Sequence, residues 1–351
     1  MDLLRVLAIV CVIGGHYFIN TDFNKTPFDN PMMFVLGMIQ SYTLIGVPLF
    51  LMLTGFLNLN KIDPTRRYYN GIWKVLIAYL FFSIVTILFR IHYLGQEKSV
   101  MQWGHSILSF DAIPYAWYIE MWIGLFLLTP FFNRLWHSIE TKRHRQILIA
   151  ILFASSAIPD LLNRYGMHLV PGYWVTAAYP LLCFYLGAYM RTYQPTFKAI
   201  PIIGIISGLC LINPIISMLI AKGQPMTHIH GGPGGFVSIS IAVLSFLLFY
   251  QQDIKTQIFR GLITKISMLS LNMYLVAWIF DQLIYPLWCN YLGAIGNQSS
   301  LLPFYPLIIL SLLVGTLISA WIYDILSDIM KFAYNNLLAK KDSNRSSVQT
   351  I

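Results

Sequence analysis

Apolar runs of about twenty residues recur from one end of this 351-residue chain to the other. A helix of that length is what the roughly 30 Å hydrocarbon core of a bilayer requires. Only 11% of the residues are charged and 57% are hydrophobic, whereas a soluble domain carries about 25% charged residues. Such a chain has too little polar surface to cover itself in water, so its solvent is lipid. In lipid each span must satisfy its own backbone groups, which is what an α-helix does. The predicted fold class is all-α: a polytopic integral membrane protein with no separate soluble domain.

Ten transmembrane helices are predicted, near residues 3–20, 32–58, 71–94, 115–136, 146–163, 172–190, 199–221, 235–251, 264–289 and 301–330. Pro48, Pro201, Pro214 and Pro286 interrupt the second, seventh and ninth, which neighbouring helices or cavity water can compensate. With the N-terminus in the cytoplasm, 18 of the 23 Lys and Arg residues fall on the inner side and 5 on the outer. That asymmetry predicts both termini cytoplasmic, and it accounts for the net charge of +9 without nucleic acid. The first apolar stretch lacks a basic leader and a small-residue cleavage site, so it is expected to stay as the first helix. Residues 1–335 read as one membrane-embedded domain and 336–351 as a polar tail, aperiodic from Lys340 and expected to be disordered. Cys11, Cys183, Cys210 and Cys289 all lie in apolar runs with no CxxC pair, and read as small core residues.

Charged and titratable groups inside spans are costly and are functional candidates by default. Arg5 and His16 stand eleven residues apart in LLRVLAIVCVIGGHYF. Eleven steps of about 100° bring both side chains to one helix face, roughly 16 Å apart along the axis. An arginine at the mouth and a histidine deep in the bundle suit a long donor with an anionic head and a reactive far end. Coenzyme A has that form. A histidine can take the proton from a hydroxyl attacking a thioester, or can itself attack and carry the acyl group. The plainer readings are a hydrogen-bonded histidine and an arginine that snorkels to the interface.

The segment DLLRVLAIVCVIGGH resembles the first-helix signature of the bacterial integral-membrane acyltransferase-3 family, an arginine and a histidine with ten residues between them. GVPLFLMLTGFLNL at 46–59 is similar to that family's GV-x-x-F-F-x-x-S-G-F segment, with Thr54 where serine is commoner. AWYIEMWIGLFLLTP at 116–130 looks like its fourth-span pattern, and SMLSLNMYLVAW at 267–278 resembles its S-x-x-x-Y-L-x-H pattern. In the last of these Ser270 and Tyr274 are in place, and Ala277 stands where the histidine would be. The resemblance implies O-acylation, usually O-acetylation, of a glycan in the bacterial cytoplasmic membrane. Arg5 and His16 would then be the donor-binding and catalytic pair. Acetyl-CoA or another acyl-CoA would serve as co-substrate, with no bound cofactor, and a surface polysaccharide or its lipid-linked precursor as acceptor.

Arg66, Arg67 and Lys74 form a basic mouth fit for the donor's phosphates, or they simply mark the inner side. Glu120, amid Trp117, Tyr118 and Trp122, is a candidate to orient His16 or hold a sugar hydroxyl; pairing with Arg90 is the alternative. Arg90 and His92 are candidates to face the acceptor, as are Asp281 and Gln282 to bind its hydroxyls. Trp103, Trp117, Tyr118, Tyr173, Trp174 and Trp288 suit an aromatic belt at the outer interface, although sugars also stack on such rings. His228 and His230 sit in the glycine-rich HIHGGPGG loop, and two ligands do not make a metal site. A different class of function, non-enzymatic export of a surface polysaccharide, suits the same helices and aromatics but has no need of the Arg5–His16 pair.

Overall fold

The computed structural model describes residues 1–163, 168–221, 232–252, 256–293 and 298–348. Its helices in chain order are α1 (Asp2–Asn20), α2 (Pro31–Thr43), α3 (Gly46–Asn58), α4 (Arg66–Tyr69), α5 (Ile72–His92), α6 (Val100–Leu108) and α7 (Trp117–Ser138). They continue as α8 (Lys142–Leu162), α9 (Val175–Tyr193), α10 (Ala199–Ala221), α11 (Phe236–Phe249), α12 (Gln257–Tyr291) and α13 (Tyr305–Val348). Among the described residues there is no β-strand.

Among the described residues, seven helical stretches are long and apolar enough to cross a membrane, including the joined pairs α2–α3 and α4–α5. The protein is an all-α polytopic membrane protein. Three more of the expected spans coincide with helices that fall outside that class. Helices α7 and α9 have the length, 22 and 19 residues, but are less apolar, and α11 has only 14 residues. The span expected over 32–58 is broken at Leu44–Ile45 into α2 and α3. Pro48 causes the break, since it lacks an N–H and its ring would meet the carbonyl four residues back. Helix α13 runs on to Val348, past the point where an aperiodic tail is expected. Leu, Ala and Lys in NNLLAKK favour helix despite the polar composition.

Helix α1 lies at the centre, packed on α2, α3, α12 and α13. Leu4, Ala8, Ile9, Cys11, Val12, Ile13 and Tyr17 are all buried, so it is apolar nearly all round, as a core helix must be. Two glycines let α3 and α9 cross in backbone contact. A Cβ on Gly55 would overlap the Phe184 carbonyl, and one on Gly187 the Met52 carbonyl.

The chain brings its polar anchors to two opposite ends of the bundle. At one end Lys265 pairs with Asp324 at 2.8 Å, and Asn133 donates to the carbonyls of Asn58 and Lys61. At the other, the Arg90 guanidinium lies 5.2 Å from the Trp103 ring and 5.7 Å from the Trp278 ring. It also donates to Gln96 and to the carbonyls of Asp111 and Ala112. Arg90 therefore clamps the α6 segment onto α5 and α12.

Candidate active site

Arg5 opens the site. Its Nη1 lies 3.5 Å from Asp2 Oδ1, one helical turn back, and 3.4 Å from Ser267 Oγ on α12. Ser267 donates to the same Asp2 oxygen at 2.8 Å, and Thr264 to the other at 3.3 Å. Asp2 thus ties α1 to α12 and steadies a guanidinium whose side chain stays 36% exposed. Arg5 stands at the rim of a cavity of about 460 Å³, whose lining includes Lys74, Asn58, Thr54, Ser270 and Asp324. That volume is within the usual range for a small-molecule site. The lining follows α1 from Arg5 to Val12 and α12 from Ser267 to Tyr274.

Tyr118 and Tyr274 close the far side, with ring centroids 5.7 Å apart. The Tyr274 hydroxyl donates to the backbone carbonyl of Tyr115. Tyr115 in turn lays its ring on His16, centroid to centroid 3.8 Å, and donates its hydroxyl to Asp281 Oδ2 at 2.7 Å. Asn20 donates to that same oxygen at 3.3 Å and to the His16 carbonyl at 2.9 Å. His16 Nδ1 stands 3.5 Å from Asp281 Oδ2, an ion-pair approach longer than a formed hydrogen bond. His16 is 9% exposed and Asp281 1%. His16 therefore lies one turn beyond the cavity's last α1 residue, behind a wall of two tyrosines, with a buried carboxylate at its side.

A family model described as an acyltransferase domain matches residues 1–324. The chain belongs to the acyltransferase-3 family. Membership makes it a membrane acyltransferase. No curated protein and no solved structure matches it.

In this acyltransferase-3 chain Arg5, Lys74, Tyr118, Ser270 and Tyr274 share one cavity. The Ser270 hydroxyl, however, donates to the Ser267 carbonyl of its own helix. Arg66 and Arg67 are exposed on α4, at the same end as Lys74 but outside the lining. Glu120 is not beside His16. Tyr118, Ile119 and Trp122 turn toward the cavity, which leaves Glu120 exposed on another face of α7. The carboxylate that meets His16 is Asp281, and Arg90 pairs with aromatic rings and carbonyls, not with Glu120. Trp117, Tyr173 and Trp174 are 45%, 92% and 67% exposed, whereas Trp103 is buried beneath Arg90. His228 and His230 lie outside the described residues.

Asp2, Ser267, Asn20 and Tyr115 contact the site's side chains although none is a defining position of the motifs above. Asp2 had a readable signal, an acid three residues before Arg5. Tyr115 and Asn20 had none, because their roles depend on a contact between α1, α12 and the segment before α7.

Proposed function

We propose that this membrane acyltransferase moves an acyl group, acetyl by preference, from acyl-CoA to a hydroxyl of a bacterial surface polysaccharide or its lipid-linked precursor. What supports this reading is that Arg5 opens the cavity at one end, while His16 lies one helical turn beyond the cavity's last α1 residue, Val12. The Arg5 end is the cytoplasmic end, on the distribution of Lys and Arg. The donor's phosphates bind there to Arg5 and Lys74, with Arg66 and Arg67 supplying guanidinium forks from α4. Its neutral arm occupies the cavity, along Val12, Val47, Phe50 and Leu271, and presents the thioester at Tyr118 and Tyr274. The acceptor hydroxyl comes to His16 from the opposite end, where the exposed Trp117 lies.

The chemistry is a balanced acyl transfer. His16 takes the hydroxyl proton as the oxygen attacks the thioester carbon. A carbon–oxygen bond forms, the carbon–sulfur bond breaks, and His16 returns its proton to the departing thiolate. One positioned base of this kind contributes about 10²–10⁴-fold.

Transfer of label from acetyl-CoA to glycan, in membranes with matched amounts of protein, tests the reading. Label should appear with the intact protein and fall at least about 100-fold in His16→Ala. Polymer export lost on deletion, with no label transferred, would replace acyl transfer by export.

A further inference from the structure

Resting on the acyl-transfer reading, we infer that Asp281 is the positioning residue for His16, holding one ring nitrogen so that the other faces the reacting groups. A carboxylate that is 1% exposed needs compensation for the water it has lost. Among the described residues the only basic group within ion-pair distance of Asp281 is His16. Its other partners are neutral donors, Tyr115 Oη at 2.7 Å and Asn20 Nδ2 at 3.3 Å, and both act on Oδ2. Two donors hold Oδ2, the oxygen nearest the His16 ring. Oδ1 is left without a hydrogen-bond partner among the described residues, as is His16 Nδ1. The 3.5 Å approach is made by Nδ1 to Oδ2, so the unpartnered base nitrogen faces the oxygen that Tyr115 and Asn20 hold.

The consequence is chemical. With Nδ1 carrying its proton toward Asp281, the lone pair of Nε2 is the one presented to an acceptor hydroxyl. When Nε2 takes that proton, the carboxylate is already in place to stabilise the imidazolium. Asn20 supports the arrangement from both sides, since the same amide that touches Asp281 also donates to the His16 carbonyl. Tyr115 does likewise with its ring on His16 and its hydroxyl on Asp281. Asp281 does not line the donor cavity. It acts through His16, so its loss should spare donor binding and slow the transfer.

The test measures kcat and donor KM with labelled acetyl-CoA in membranes holding matched amounts of wild type, His16→Ala, Asp281→Asn and Asp281→Glu. Asp281→Asn has the same shape, but its amide favours the opposite tautomer. It should lose about 10²-fold or more in kcat with donor KM within about twofold. Asp281→Glu keeps the charge one methylene out of place and should sit between, about tenfold below wild type, again at unchanged KM. Should the asparagine protein fail to accumulate, the glutamate protein decides alone. A wild-type kcat in either variant overturns the role, as does a loss seen only as raised KM. Transfer by wild type that needs His16 but ignores Asp281→Asn defeats this inference alone. No transfer by any form defeats the acyl-transfer reading beneath it.

Discussion

Arg5 is held by an acid on its own helix and a serine on another, yet keeps part of its guanidinium at the cavity rim. A hydrogen bond to a charged group contributes about 1.5–3 kcal/mol, and partial exposure discounts the lower end further. Arg5→Ala should therefore raise donor KM about tenfold, with kcat changed much less, in a titration of acetyl-CoA against transfer rate. Arg5 and His16 were legible because both lie on one helix, where the period alone places them on a face. Asp281 was visible as a charge in a span, but its partner was not. His16 and Asp281 are 265 residues apart, and the packing of α1 on α12 decides the pairing. Glu120 was visible in the same way, but its place in the chain says nothing of which way α7 turns it.

At the scale of elements, the site depends on α3 staying close to α1 and α9. Without water to drive helices together, membrane bundles rely on small residues that let backbones approach. Gly55 and Gly187 serve that purpose, each against the carbonyl of a residue on the facing helix. Gly55→Ala forces the two helices apart and should cost about 3 kcal/mol, read as a lower melting temperature in detergent. Gly124 on α7 has open space where a Cβ would stand. Gly124→Ala should leave the melting temperature unchanged or raised, since alanine is the better helix former. Length and apolarity marked where helices lie, and Pro48 marked where the second span breaks. Neither told that Gly55 would face Phe184, because which faces meet is a property of the assembled bundle.

For the molecule as a whole, the asymmetry of charge and the line of the cavity point the same way. Basic side chains gather at the Arg5 end, which is also where the cavity begins. His16 lies toward the opposite end, with Tyr115, Asn20 and Asp281 around it. A donor confined to the cytoplasm would enter at one end and give up its acyl group near the other. Sealed vesicles separate the two faces, since acetyl-CoA does not cross a bilayer. The most direct measurement is labelled acetyl-CoA added outside sealed vesicles of each orientation, carrying wild type or His16→Ala, followed by counting label on glycan. Inverted vesicles with wild type should transfer label, right-side-out vesicles should do so only once permeabilised, and His16→Ala should do so in neither. Equal transfer from the outside of right-side-out vesicles, or a wild-type rate in His16→Ala, would contradict it.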